Sequence, residues 1–382
     1  MTIFDILKAS LFSNTTLSLP ADYQPLFEEM KQQTVAALPY NVLPAEAATW
    51  RAYCMKKTGQ TIRVLHAQDR MISLLESNGI CCVIIKGAAA AMYYPHPTLR
   101  SMGDVDFLVK RADLERTAAL LEANGYMLAH EKNRKHYHYG YKKDKTYFEL
   151  HWLVPCVSEH DEERIALFEE GIDNREWHEI EGYKFPVLPT LLNGLVLLFH
   201  INHHLRSGIG LRQIIDWMMY VNSLSEDQWT ELLDLLKSMG MERLALTATA
   251  LCQRYLGLRH IVDEDGLPTD QLLTHIMEKG NFGRKSGETG KIASVYLDMS
   301  NPIRVFKRLQ DGGMSRWNVA RKYPALRTFA WIYQIGFISH ELIRNRIGAK
   351  DMIEQHAKGM EQRKLIEELG LSVDSTIKYR EV

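Results

Sequence analysis

Apolar residues recur at three- and four-residue spacing from Leu43 to about Asn78, as in Val64, Leu65, Met71, Leu74 and Leu75. This spacing predicts a long helix, which "SNGI" stops at Gly79. The pattern then changes period. "CCVIIKG" (81–87) and "DVDFLVK" (104–110) are short β-branched runs, with helix-prone "AAAAMYY" and loop-like "PHPTLRSMG" between them. The order read is strand, turn, helix, loop, strand. "RADLERTAALLEANGY" follows as a helix with Asp113 placed to cap it and Gly125 to end it. "KHYHYGY" and "TYFELHWLV" are read as two strands of a hairpin joined by polar "KKDK". "KFPVLPT" is one more strand, with Thr190 as N-cap of the next helix. Beyond 190 every apolar pattern is helical, "LLNGLVLLFHINHHL" and "GLRQIIDWMMYVNSL" included.

The expected fold class is therefore α+β, a small mixed sheet with helices. A helical segment (1–78) precedes the α+β domain (79–189), and an all-α domain (190–382) follows, with a loose tail after about Glu368. No internal repeat of fixed period is present.

Composition narrows the function classes. A chain of 382 residues, 46% hydrophobic and 24% charged with net charge −1, has the make-up of a folded protein and no global field for nucleic acid. Five scattered cysteines without C-x-x-C spacing indicate neither a disulfide framework nor a zinc knuckle, and fit a reducing cytoplasm. "MTIFDILKASLF" has no positive region ahead of an apolar core, so no signal peptide is expected. Leu191–Phe199 and Phe329–Ile338 are about half the ~20 residues a membrane span requires, so no transmembrane segment is expected.

The chemistry concentrates in "KGAAAAMYYPHPTLRSMGDVDFLV" (86–109). Strand side chains alternate, so Asp104 and Asp106 face one way while Val105 and Phe107 enter the core. Like charges that close call for a cation, and hard oxygen ligands suit Mg²⁺. In "TYFELHW", Tyr147, Glu149 and His151 share a face. Glu149 on an adjacent strand would supply a third carboxylate, completing a site for two ions of the kind that clamp attacking and leaving oxygens. Gly87 permits close backbone approach, and the N–H groups of about Ala88 to Ala90 are placed to meet phosphate oxygens. Lys86 and Arg100 each have two readings: neutralising a polyphosphate, or pairing with an acid.

These residues, "KGAAAAMYY…LRSMGDVDFLV" followed by "FELHW", resemble the uncharacterised bacterial nucleotidyltransferase family of the polymerase-beta-like superfamily. The likeness is strong over 60–220 and continues in "LPTLLNGLVLLFHINHHL", "GLRQIIDW" and "GNFG" (280–283). It implies a polymerase-beta-like domain, with Asp104, Asp106 and Glu149 as catalytic metal ligands and Lys86, Gly87, Ala88, Arg100 and Gly103 at the nucleotide. The implied cofactor is Mg²⁺, two ions, with Mn²⁺ an alternative. The implied reaction moves a nucleoside monophosphate from a triphosphate such as ATP to an acceptor hydroxyl. The wider superfamily has Gly-Gly or Gly-Ser at the turn; here Ala88 follows Gly87, as in similar members with Lys-Gly-Ala.

His151, His204 and Arg212 are candidate acceptor-side residues. Arg212 and Asp216, four apart, read most simply as a helix-surface or interdomain ion pair, and equally as walls of the cleft. His200, His203 and His204 are read as structural or substrate-facing histidines in preference to a zinc set. "KHYHYGYKK" interleaves aromatics with bases, but hairpin tyrosines more often pack across strands. "GRKSGETGK" fails the phosphate-loop spacing. Residues 303–350 hold ten Lys/Arg against Asp311 and Glu341, a net of +8; the favoured reading is a solvated helix face, and the alternative is a surface for a phosphate-rich acceptor, RNA or an anionic membrane. The competing reading is a non-catalytic nucleotide-binding or scaffold protein that keeps the fold.

Overall fold

The computed structural model describes residues 1–13, 15–129, 137–281, 285, 302–344 and 349–371. Two compact units emerge from its contacts, one of 1–285 with 369–379 and one of 286–368 with 380–382.

In the first unit, α1 (Ile3–Lys8) and α2 (Gln24–Gln32) lead into α3 (Ala48–Ser77), the long helix expected from the leucine spacing, closed at Gly79 with φ +67°. The sheet then forms from β1 (Cys82–Ile84), β2 (Asp104–Val109), β3 (Met127–Leu128), β4 (His138–Lys143), β5 (Thr146–His151), β6 (Glu176–Ile180) and β7 (Tyr183–Val187). Its seven strands lie in the order β3-β4-β5-β2-β1-β7-β6. The sheet is mixed: β2 runs parallel to β5 and β1 parallel to β7, while the other pairs are antiparallel. Three helices interrupt the strands, α4 (Gly87–Ala91), α5 (Leu114–Ala123) and α6 (Glu162–Asp173). After β7 come α7 (Thr190–His204), α8 (Leu211–Ser223), α9 (Glu226–Ser238), α10 (Glu242–Leu251) and α11 (Thr269–Lys279).

Most local signals hold, and the departures have physical reasons. Asp113 occupies the N-cap position of α5 without a side-chain cap bond; its backbone carbonyl instead accepts from the Thr117 hydroxyl at 2.8 Å. Pro189, not Thr190, is the N-cap of α7, because its fixed φ of −48° sets the turn one residue earlier. β3 is too short, and β6 too polar ("EWHEI"), to have been legible as strands. α7 is apolar nearly all round and correspondingly buried from Leu192 to Asn202. All five cysteines are free thiols. "GRKSGETGK" and the last part of "GNFG" lie outside the described residues, as do the first two residues of "KHYHYGY" and the tail from 372.

The second unit contains α12 (Pro302–Arg316), α13 (Asn318–Lys322), α14 (Ala330–Arg344) and α15 (Ala349–Glu368). α12 and α14 approach closely because Gly313 leaves no room for a Cβ against the Ala330 carbonyl, and Trp317 stacks on Tyr333 at 5.3 Å. Among the described residues, no helix is long and apolar enough to cross a membrane.

Candidate active site

The register of three strands assembles the site. Asp104 lies opposite Tyr147, Asp106 opposite Glu149 and Leu108 opposite His151; across the hairpin, Gly140 faces Glu149 and His138 faces His151. Cross-strand partners project from the same face. Asp104, Asp106, Glu149, His151 and His138 therefore line one surface, while Val105 and Phe107 are buried on the other side. Gly140 is required there, since a Cβ would collide with the Tyr147 hydroxyl.

The turn after β1 brings in Lys86. Its backbone takes φ +58° and ψ −135°, a conformation costly for a residue with a Cβ, and Gly87 follows at φ +30°. That geometry aims Lys86 Nζ at Asp106 Oδ1, 2.8 Å away. Of the two readings for Lys86, the structure places it in the acid pair. The α4 ladder begins with the Ala90 N–H donating to the Lys86 carbonyl at 2.9 Å, so Ala90 has no N–H left for phosphate; those of Gly87 and Ala88 precede the ladder. Gly103, just before β2, is exposed with open space beside it.

Electrostatics divides the three acids. Burial opposes ionisation of Asp106, but Lys86 and the hydrogen bond from His151 outweigh it and hold its carboxyl well below the usual carboxylate range. Burial and the neighbouring Asp106 charge raise Asp104. The same two causes push Glu149 up to about 7. His151 is fully buried, with Nε2 3.1 Å from Asp106 Oδ1 and 3.3 Å from Glu149 Oε2; burial works against its charged form, and the two carboxylates prevail, raising its pKa. Two acids carry strained charge, and one is satisfied from within the protein.

Arg100 and Arg212 part company. The Arg100 guanidinium grips Asp216 through two bonds, Nε to Oδ1 at 2.9 Å and Nη2 to Oδ2 at 2.6 Å, and Tyr94 donates to the same Oδ1 at 2.7 Å. All three side chains are buried. Arg100 is thus the anchor that ties the loop before β2 to α8, and its fork is spent on Asp216 instead of pointing at a phosphate. This corrects the expectation that Asp216 pairs with Arg212. Arg212 remains close enough to Asp104 and Asp216 to be drawn by both, while burial and the Arg100 charge lower its pKa. Its Nε is buried with no hydrogen-bond partner.

The histidines of α7 pack toward the same centre. His203 Nε2 meets the Tyr137 hydroxyl at 3.1 Å, and the Tyr137 ring stacks on His151 at 5.5 Å. His204 Nδ1 lies 3.3 Å from Ser207 Oγ, and its ring contacts those of His200 and His203. Burial first, and then the other histidines, depress His200 and His204 well below the ordinary range. Tyr137, Tyr139 and Tyr141 are buried, as cross-strand packing requires, and form no exposed stacking surface.

His138 was missed by sequence reasoning. A signal existed: once Lys143 is paired with Thr146 across the Asp144 turn, counting back along the hairpin puts His138 opposite His151. The histidines and Glu149 form the one group among the described residues whose ligand atoms all lie within 4.8 Å of one another.

A seven-stranded mixed sheet with carboxylates from parallel neighbours beside a glycine turn is consistent with a nucleotidyltransferase domain. The chain belongs to the uncharacterised nucleotidyltransferase family, whose model matches residues 26–257. Among curated proteins, none matches it. Membership supports nucleotidyl transfer as the general activity.

Proposed function

We propose that the protein transfers a nucleoside monophosphate from a nucleoside triphosphate to an acceptor hydroxyl, using Asp104, Asp106 and Glu149. The carrying observation is the register that sets Asp106 beside Glu149 on parallel strands with Asp104 two residues along the same face. In this reaction the acceptor oxygen forms a bond to the α-phosphorus, the bond from that phosphorus to the α,β-bridging oxygen breaks, pyrophosphate leaves, and the hydroxyl proton passes to a base at the face.

The donor set fits divalent cations. Asp104 and Glu149 each have a pKa raised by burial and by the charge of Asp106, which Lys86 does not fully offset, and a further cation would relieve both. Asp104, Asp106 and Glu149 would hold Mg²⁺, two ions by family resemblance, which when bound would activate the nucleophile and stabilise the leaving oxygen. The protein's own groups do the rest. Gly87 and Ala88 offer backbone N–H groups to phosphate oxygens, and open Gly103 lets a ligand approach the start of β2. Arg212, buried without a hydrogen bond at Nε, is the cation suited to an anionic substrate group. Lys86 holds Asp106 ionised and aligned. His151 and His204 stand on the acceptor side.

A small molecule or a peptide or sugar intermediate is the favoured acceptor, with a protein side chain or RNA as alternatives. An RNA acceptor would engage exposed Lys307, Arg316, Lys322, Arg327 and Arg344, and its binding would weaken steeply with salt.

The test supplies triphosphates labelled at the α or γ phosphate to protein with cell extract. Label from the α position on an acceptor, with pyrophosphate released, is expected. Label from the γ position would indicate a kinase. Asp104→Asn and Asp106→Asn should each lower turnover by more than about a thousandfold, removing several kcal/mol of charge stabilisation, with circular dichroism unchanged; full activity in the double variant would sink the reading. One observation favours a non-catalytic nucleotide-binding protein: Asp106 is already neutralised by Lys86 and His151. That reading predicts triphosphate binding by calorimetry without pyrophosphate.

A further inference from the structure

We propose that His138, Glu149 and His151 form a binding site for a transition-metal dication of the Zn²⁺ or Co²⁺ kind, on the same face as the aspartates. The proposal rests on the nucleotidyl-transfer reading for what the ion does there, and not for its binding.

Spacing is the first support. A tetrahedral ion with bonds of about 2.0–2.2 Å sets its ligand atoms roughly 3.4 Å apart. Glu149 Oε2 lies 3.3 Å from His151 Nε2, and Glu149 Oε1 lies 3.9 Å from His138 Nε2. The carboxylate thus presents one oxygen to each imidazole, and small side-chain rotations close the set around one ion.

Donor chemistry is the second. Two imidazoles and one carboxylate are the ligand composition of catalytic zinc sites that keep a position open. Mg²⁺ demands oxygen ligands and dehydrates reluctantly, whereas imidazole suits the later first-row ions. The aspartates offer hard oxygens only, so the two halves of the face have different metal preferences.

The third is the surroundings of His151. Its side chain has no exposure, Nε2 is faced by two carboxylates, and Nδ1 is buried without a hydrogen bond. Nε2 and the two carboxylate oxygens converge within hydrogen-bond distance, so a dication bound there would take the place of the ring's Nε2 proton. The ring is also held in place, stacked on Tyr137 and packed against the His138 ring at 5.1 Å. All three ligands sit on the paired strands β4 and β5, with His138 directly opposite His151 and Glu149 two residues before it.

The experiment titrates purified full-length protein with Co²⁺, without nucleotide or acceptor, and follows the visible ligand-field absorption, then displaces the ion with Zn²⁺. Saturation at one equivalent, with displacement by Zn²⁺ but not by excess Mg²⁺, is expected. His138→Ala should weaken Co²⁺ binding by more than about a hundredfold, exceeding the loss from an outer-shell partner, whereas Asp104→Asn should retain it. His138→Asn serves as a second variant should His138→Ala not fold. No ligand-field band in the wild type, or equal binding by the His138 variants, overturns the proposal. Turnover with Mg²⁺ alone in protein that does not take up Co²⁺ would leave nucleotidyl transfer standing while this site falls.

Discussion

His275 shows how burial governs a titratable side chain outside the site. Nε2 makes a 2.7 Å bond to the Leu205 carbonyl, and burial, followed by the nearby Lys279 charge, pushes its pKa down to about 4. The sign is fixed by linkage. An unfolded histidine takes up its proton near pH 6.5, so above that pH the folded state keeps the full contribution; as pH falls toward 4 the unfolded chain binds a proton that the folded chain refuses. This residue alone should cost about 3 kcal/mol of stability between pH 7 and pH 4. Urea midpoints measured across that window should fall less steeply for His275→Gln than for the wild type. Parallel curves would show that His275 is not the titrating group. His203, also held near 4 by burial and Lys86, acts in the same direction.

Between elements, the Arg100–Asp216 pair bears on how the site is framed. It joins the segment before β2 to α8, and Tyr94 beyond α4 joins the same carboxylate. Removing Asp216 leaves a buried guanidinium without its counter-charge, which costs about 3–5 kcal/mol, whereas replacing both partners by apolar residues spares that penalty. Thermal melts should therefore show Asp216→Ala much less stable than the wild type, with Arg100→Met/Asp216→Leu recovering most of the loss; equal destabilisation by the two variants would deny the pair its role. The strands of this frame were legible because period-two alternation and β-branching mark "DVDFLV" and "TYFELH". The order of the sheet was not, because parallel pairing of β2 with β5 joins segments about forty residues apart and leaves no local mark. Arg100 illustrates the same limit: its partner, 116 positions away, is set by packing, so spacing alone favoured the nearer Arg212 for Asp216.

For the whole molecule, the family match at 26–257 falls inside the first compact unit, and so does every residue of the candidate site. The carboxylates were readable from their spacing and from the resemblance, whereas His138 emerged only when hairpin register placed it beside Glu149. A ligand that binds only the folded site stabilises the unit that contains the site. Triphosphate with metal at a hundred times its dissociation constant contributes about 2.7 kcal/mol. For amides that exchange only through unfolding of that unit, this is about a hundredfold slowing. Hydrogen exchange read by mass spectrometry should therefore show peptides from 104–109 and 146–151 slowing on ligand addition, while those from 302–344, which carry no site residue, keep their rates. Slowing confined to 302–344 would move nucleotide binding away from the aspartates and into the basic helices.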